Sequence, residues 1–209
     1  MGKLILVGTA HYKGEFVPTP GNYERVMRVL EAERPSFVSQ EVKLYNLLSR
    51  SFEPILRAPL SELDDIEAKI LAEGSYGAEY EAGIIYCRRQ NIPLHWTDLY
   101  SASQEEVVET DILQANPIES LWADEKEIPA RLLETYPGTD EPLYFNVSER
   151  NVFTGHALSD LLRKYDPGDG VHICGKGHYT PGRGLPLQVV LDTSSFRPDE
   201  IRFEPEING

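Results

Sequence analysis

The sequence predicts an α/β fold: a central, mostly parallel or mixed sheet with helices on both faces and a helical insertion. Three observations carry that prediction. Residues 3–8, KLILVG, form an apolar run without alternation, as in a strand buried on both faces of a parallel sheet. A helical pattern and a second apolar run follow within about forty residues, which is the length of a βαβ unit with a right-handed crossover. Far down the chain, GVHICG repeats the apolar run after the longest late helical pattern.

Taken in order, the loop with Pro18, Pro20 and Gly21 leads into NYERVMRVLEAERP, where Val26, Val29 and Leu30 stand at helical spacing and Pro35 closes the helix. SFVSQEV, 36–42, reads as the second strand. SELDDIEAKILAEGS has Ser61 three residues before Asp64 as a variant capping box, an apolar face of Leu63, Ile66, Ile70 and Leu71, and a stop at Gly74. GAEYEAGIIYCRRQN is a further helix leading into the short strand IPLHW, 92–96. Residues 102–142 are acidic and punctuated by Pro117, Pro129 and Pro137, and read as short helices in an insertion or cover. SERNVFTGHALSDLLRKYD, with Ser148 as cap, is the long late helix, ended by Pro167-Gly168. LPLQVVLD, 185–192, fits a last strand or a short helix equally. The Pro- and Glu-rich tail after Phe196 reads as loosely held.

The chain has 209 residues, 41% of them hydrophobic, enough for one domain with a full core. Acidic residues outnumber basic ones 34 to 20, a formal charge of −14. That surface repels nucleic-acid phosphates and anionic lipid, which leaves a small molecule or peptide as the expected partner and a homodimer open as assembly. No apolar run approaches the ~20 residues of a membrane span, and MGKLILVG reads as a strand rather than a signal peptide. Cys87 and Cys174 form no Cys-x-x-Cys motif, so a reducing, cytoplasmic setting is expected.

Two segments stand out because the chain holds only five histidines. GTAHY, 8–12, and GKGHY, 175–179, each end an apolar run in Gly-x-x-His-Tyr. In parallel α/β sheets ligands bind at the carboxyl edge, so parallel strands would bring His11 and His178 to one rim. Glu41, ending the second strand, would join them, and Asp98, just past IPLHW, is a fourth candidate. Two imidazoles and a carboxylate are a common ligand set for a catalytic divalent ion with positions left open for water. Gly8, Gly175 and Gly177 permit sharp turns and close backbone approach, and such turns offer N–H groups to an oxyanion or phosphate. Lys176 has the Gly-Lys pair of a phosphate loop without the rest of that motif. His172 and His95 read as core histidines, His156 as a helix-face residue, and Cys174 as an inert buried thiol.

GTAHY, RPSFVSQEV, GAEYEAGI, SERN and GKGHY, in that order from about residue 4 to residue 182, resemble the TraB/TIKI family, within a wider group of erythromycin-esterase-like and ChaN-like proteins. The resemblance implies metal-dependent or His/Glu hydrolysis, or haem or iron binding on the ChaN-like side. It aligns Gly8 and His11 with the first motif, Glu41 with the intervening acid, and Gly175 and His178 with the second. Glu79 matches a further acid, and Glu149 with Arg150 an acid–arginine pair. The strand before Glu41 departs from the family's apolar pattern, since Ser39 and Gln40 precede the acid.

Three expectations follow. In the first, a hydrolase cleaves a peptide, amide or ester bond. His11, His178 and Glu41 hold Mn, Co or Zn, Glu79 or Asp98 completes the shell, and Arg150 stabilises the oxyanion. Without metal, His11 is the general base, Glu41 orients its ring and His178 assists. In the second, a non-catalytic protein binds haem, a metal or a phosphorylated ligand on the same rim. In the third, the acidic 102–142 segment is an interaction surface, and the doubled motif speaks against it.

Overall fold

The computed structural model describes residues 2–9, 20–41, 52–75, 77–97, 147–179, 185–194 and 198–204. In chain order the elements are β1 (Leu4–Thr9), α1 (Pro20–Glu33), β2 (Phe37–Gln40), α2 (Glu53–Arg57), α3 (Leu63–Glu73), α4 (Ala78–Gln90), β3 (Leu94–Trp96), α5 (Val147–Tyr165), β4 (Gly170–Gly175), α6 (Leu187–Thr193) and β5 (Ile201–Glu204). Among the described residues the strands form one sheet in the order β3-β2-β4-β1-β5, and every neighbouring pair is parallel. The α/β class expected from the apolar runs is the fold observed.

The unbroken apolar run of β1 follows from burial on both faces. Ile5 and Val7 pack into a layer with Val26 and Leu30 of α1 and Ile85 of α4. Leu4 and Leu6 pack oppositely, with Leu158 and Leu162 of α5 and Leu191 of α6. Helices α1 to α4 therefore cover one face, and α5 and α6 the other. The connections leaving β1 and β2 go to the first face, while the one leaving β4, which lies between them, goes to the second. Such a reversal opens a crevice at the carboxyl ends of the strands, the usual ligand position in this architecture.

Helix α4 is buried on nearly every side and lies close on the sheet at Gly83, where an added Cβ would come 1.9 Å from Gln40 Nε2. That amide in turn donates to Tyr80 O at 2.9 Å. Helix α1 stops as its sequence requires: Arg34 turns left-handed (φ 47°), its N–H reaches Leu30 O at 2.9 Å, and Pro35 follows.

One open reading is settled and three expectations are corrected. Residues 187–193 are a helix, since Pro186 supplies an extended cap and Leu187, Val190 and Leu191 fall on one buried face. The tail is tied down: Ile201–Glu204 adds parallel to β1, and Arg202 pairs with Glu33 and Glu204. Its alternation of Ile201 and Phe203 is too short to stand out against Pro- and Glu-rich flanks. Ser61 makes no cap, because a 3₁₀ turn over Leu60–Glu62 precedes α3 and Glu62 occupies the capping position. Ser148 lies within α5 rather than ahead of it. The 102–142 segment lies outside the described residues. Among the described residues no helix is long and apolar enough to cross a membrane.

Candidate functional site at the carboxyl edge

β1 and β4 are neighbours, with Gly8 opposite Cys174 and Thr9 opposite Gly175. The glycines that open the two Gly-x-x-His-Tyr segments therefore lie on neighbouring strands, offset by one residue. On the other flank of β4, the Glu41 N–H donates to Ile173 O at 2.9 Å, continuing the β2–β4 ladder by one step. The first turns of α5 bring Arg150 and Asn151 over this edge, and a 3₁₀ turn over Lys176–His178 folds the second motif back toward them. Groups far apart in the chain are thus collected by sheet order.

Glu41, Asn151 and His178 are all buried, Asn151 completely. His178 Nε2 lies 2.8 Å from Glu41 Oε1, and Arg150 pairs with the same oxygen. Glu41 Oε2 accepts from the Gly175 N–H at 3.1 Å. On the far side of the imidazole, His178 Nδ1 lies 2.5 Å from Asn151 Oδ1. Asn151 Nδ2 donates to His178 O at 2.9 Å and to Leu185 O at 2.6 Å. Those two carbonyls identify the nitrogen end of the amide, so its oxygen faces the ring and Nδ1 must carry a proton. Nε2 would then offer a lone pair to a carboxylate oxygen. Two acceptors do not meet at 2.8 Å without a hydrogen between them, so Glu41 and His178 hold one proton in common.

Burial, and next the Arg150 guanidinium, hold His178 well below the usual imidazole range, so a full charge on the ring is disfavoured and the proton stays shared with Glu41. Burial also lowers Arg150, to about 10, leaving it charged at neutral pH. Cys174, beside Arg150, is pushed up to about 12 by burial, as expected of an inert thiol.

The predicted residues thus divide. Glu41, His178 and Arg150 meet. Glu79, on the first turn of α4, accepts from Thr9 Oγ1 at 3.4 Å, at the end of β1. Gly175 supplies an N–H to Glu41, and Gly177 lies half-buried in the 3₁₀ turn with Lys176. His11 and Asp98 lie outside the described residues. His172 is a core histidine with Nδ1 at 3.0 Å from Ser39 Oγ, and His95 lies 3.0 Å from Tyr165 Oη. His156 is half-buried on α5.

Gly8 has a structural reason to be glycine. A Cβ there would come 1.4 Å from Tyr179 Oη, so the tyrosine of the second motif covers the glycine of the first. The ring is held from beyond by Phe203 of β5, at 5.2 Å between centroids. Gly8→Ala is expected to expel Tyr179 and destabilise by about 1–3 kcal/mol. In denaturant titration, adding Tyr179→Ala should recover part of that loss, since the clash goes with the ring.

Sequence reasoning missed three groups. Asn151 directly follows Arg150 within SERN, but nothing in a helical pattern marks it as buried. Thr9 ends β1 against Glu79. Arg25, buried on α1, donates to Gly8 O at 2.7 Å and bonds Glu204 O, bracing the ends of β1 and β5.

A divalent ion suits the described residues poorly. Glu41 Oε1 already takes Arg150 and the shared proton, and a guanidinium on a ligating oxygen repels a cation. Among the described residues no three His, Cys, Asp or Glu side chains are placed to hold a metal.

No protein-family model matches the chain, and no curated protein matches it in sequence. Two solved structures share a slight structural likeness. The type III effector HopBA1 is 14% identical with a TM-score of 0.42, over 99% of this chain and 78% of its own. ChaN of Campylobacter jejuni, described for cofacial haem binding, is 12% identical with a TM-score of 0.40, over 98% of this chain and 83% of its own. Both likenesses are too slight to carry any site residue across.

Proposed function

We propose that this edge is a hydrolytic centre of the TraB/TIKI-like kind, cleaving a peptide, amide or ester bond with water by proton transfer. The observation that carries the reading is the 2.8 Å contact between Glu41 and His178, made beside the Arg150 guanidinium. A buried pair holding one proton is a general acid, and an adjacent guanidinium favours negative charge developing on a carbonyl oxygen. In this reading water oxygen bonds to the carbonyl carbon while the carbonyl electron pair moves to oxygen, facing Arg150. His11 is assigned to take the proton from water. The tetrahedral species then collapses, its carbon–nitrogen or carbon–oxygen bond breaks, and the leaving group receives the proton held by Glu41 and His178. The products are an acid and an amine or alcohol, and the proton balance closes when His11 returns its proton to the pair.

The test is turnover of a panel of peptides, amides and esters by the purified protein with chelator present or absent. Cleavage unaffected by chelator is expected, falling about 10²–10⁴-fold in Glu41→Gln, the usual worth of a positioned acid or base. Activity abolished by chelator and restored by Mn, Co or Zn would replace this reading with metal hydrolysis. No turnover, together with a Soret band on adding haem, would replace it with binding on the same rim.

A further inference from the structure

We infer that Asn151 is a positioning residue that fixes the tautomer of His178, holding the ring's own proton on Nδ1 and turning Nε2 to the proton shared with Glu41. The inference rests on the proton-transfer reading for its consequence in turnover, but not for its structural content. Asn151 is completely buried and uses all of its amide functions locally: Nδ2 spans His178 O and Leu185 O, and Oδ1 meets His178 Nδ1. One bond goes to the backbone of the residue whose ring another orients, so backbone and imidazole of His178 are gripped by a single side chain. The third goes to Leu185, which leads into α6, so the grip spans helix α5, the turn after β4 and the approach to α6.

The alternatives explain why an asparagine is needed. A neutral imidazole has one N–H, and if it sat on Nε2 the bare Nδ1 would face the Asn151 carbonyl oxygen at 2.5 Å, acceptor against acceptor. Reversing the amide would repair that contact but turn the oxygen toward two backbone carbonyls, a worse arrangement in a buried site. An aspartate has no N–H for those carbonyls, and a leucine of similar volume meets none of the needs. Only with Nδ1 protonated are all three contacts satisfied, and Nε2 then makes the proton-sharing contact with Glu41.

The experiment is ¹⁵N NMR of the full chain with labelled histidine, His178 being assigned by its loss in His178→Gln. In the wild type Nδ1 is expected at a protonated-nitrogen shift at neutral pH. In Asn151→Leu and in Asn151→Asp, each checked for folding by its unfolding transition, different changes are expected. Leu should move Nδ1 toward the unprotonated range. Asp should keep it protonated and raise the pH at which the ring titrates, because a carboxylate replaces a neutral acceptor. A general loss of packing would do neither selectively. Where the protein turns over substrate, Asn151→Leu should lower kcat by about 10²-fold with KM little changed. An unprotonated Nδ1 in the wild type, or a His178 spectrum unchanged in both folded variants, would overturn the inference. The spectrum is read without substrate, so a failed hydrolase assay would leave this result standing on its own.

Discussion

Glu41→Ala should destabilise the fold by about 3–5 kcal/mol, the cost of removing one partner from a buried ion pair. The carboxylate joins Arg150, His178 and the Gly175 N–H at once, and its side chain is only 6% exposed, against 16% for that of Arg150. Its loss takes a carboxylate partner from the half-buried Arg150 guanidinium and leaves an imidazole with a bare or unbonded Nε2 and an orphaned backbone N–H. Glu41→Gln keeps an acceptor for Gly175 and a polar contact for the ring, and should cost about 1–3 kcal/mol. Urea unfolding of the three proteins checks this. Equal stability of Glu41→Ala and the wild type would mean that Glu41 is not held as described.

Acid should weaken the fold through its core histidines. Burial holds His172 at about 3 and His95 at about 4, both below the ordinary 6.5, so the unfolded chain takes their protons first. Their contribution is complete above pH 6.5 and is lost as pH falls toward 4 and then 3. Each contributes a slope of about 1.4 kcal/mol per pH unit over its window. Glu81 acts oppositely. Burial raises it from 4.5 to about 7, so its contribution is full below pH 4.5 and is lost as pH rises to 7. Between those limits two histidine slopes oppose one carboxyl slope, so these three groups together add about 1.4 kcal/mol for each unit that pH rises from 4.5 toward 6.5. His178 already shares a proton with Glu41 and does not enter this sum. His172→Leu should lower the slope of stability against pH by about 1.4 kcal/mol per unit, measured by urea unfolding at several pH values across that window.

Strand and helix placement was legible because burial on both faces forces an unbroken apolar run, as in β1, or a nearly unbroken one, as in β4 around His172, and one-sided burial forces helical spacing, as in α1. β5 was not legible, since four residues of alternation beside Pro198 and Pro205 carry little signal until β1 offers them an edge. The position of Glu41 beside His178 followed from strand ends alone. What spacing could not express was the direction of each hydrogen bond. That Arg150 reaches the oxygen His178 also uses is a property of helix α5 crossing the edge. Asn151 is read as one more polar residue until the carbonyls of His178 and Leu185 appear around it. The glycine at position 8 suggested room for a ligand, and the room is filled by Tyr179.

The most direct measurement is the rate of bond cleavage by the wild type and by His178→Gln, both in chelator and both shown to be folded. A wild-type rate indifferent to chelator and a variant slower by about 10²–10⁴-fold are expected. A variant as fast as the wild type, or a wild type that cleaves nothing across peptides, amides and esters, would contradict the proton-transfer reading.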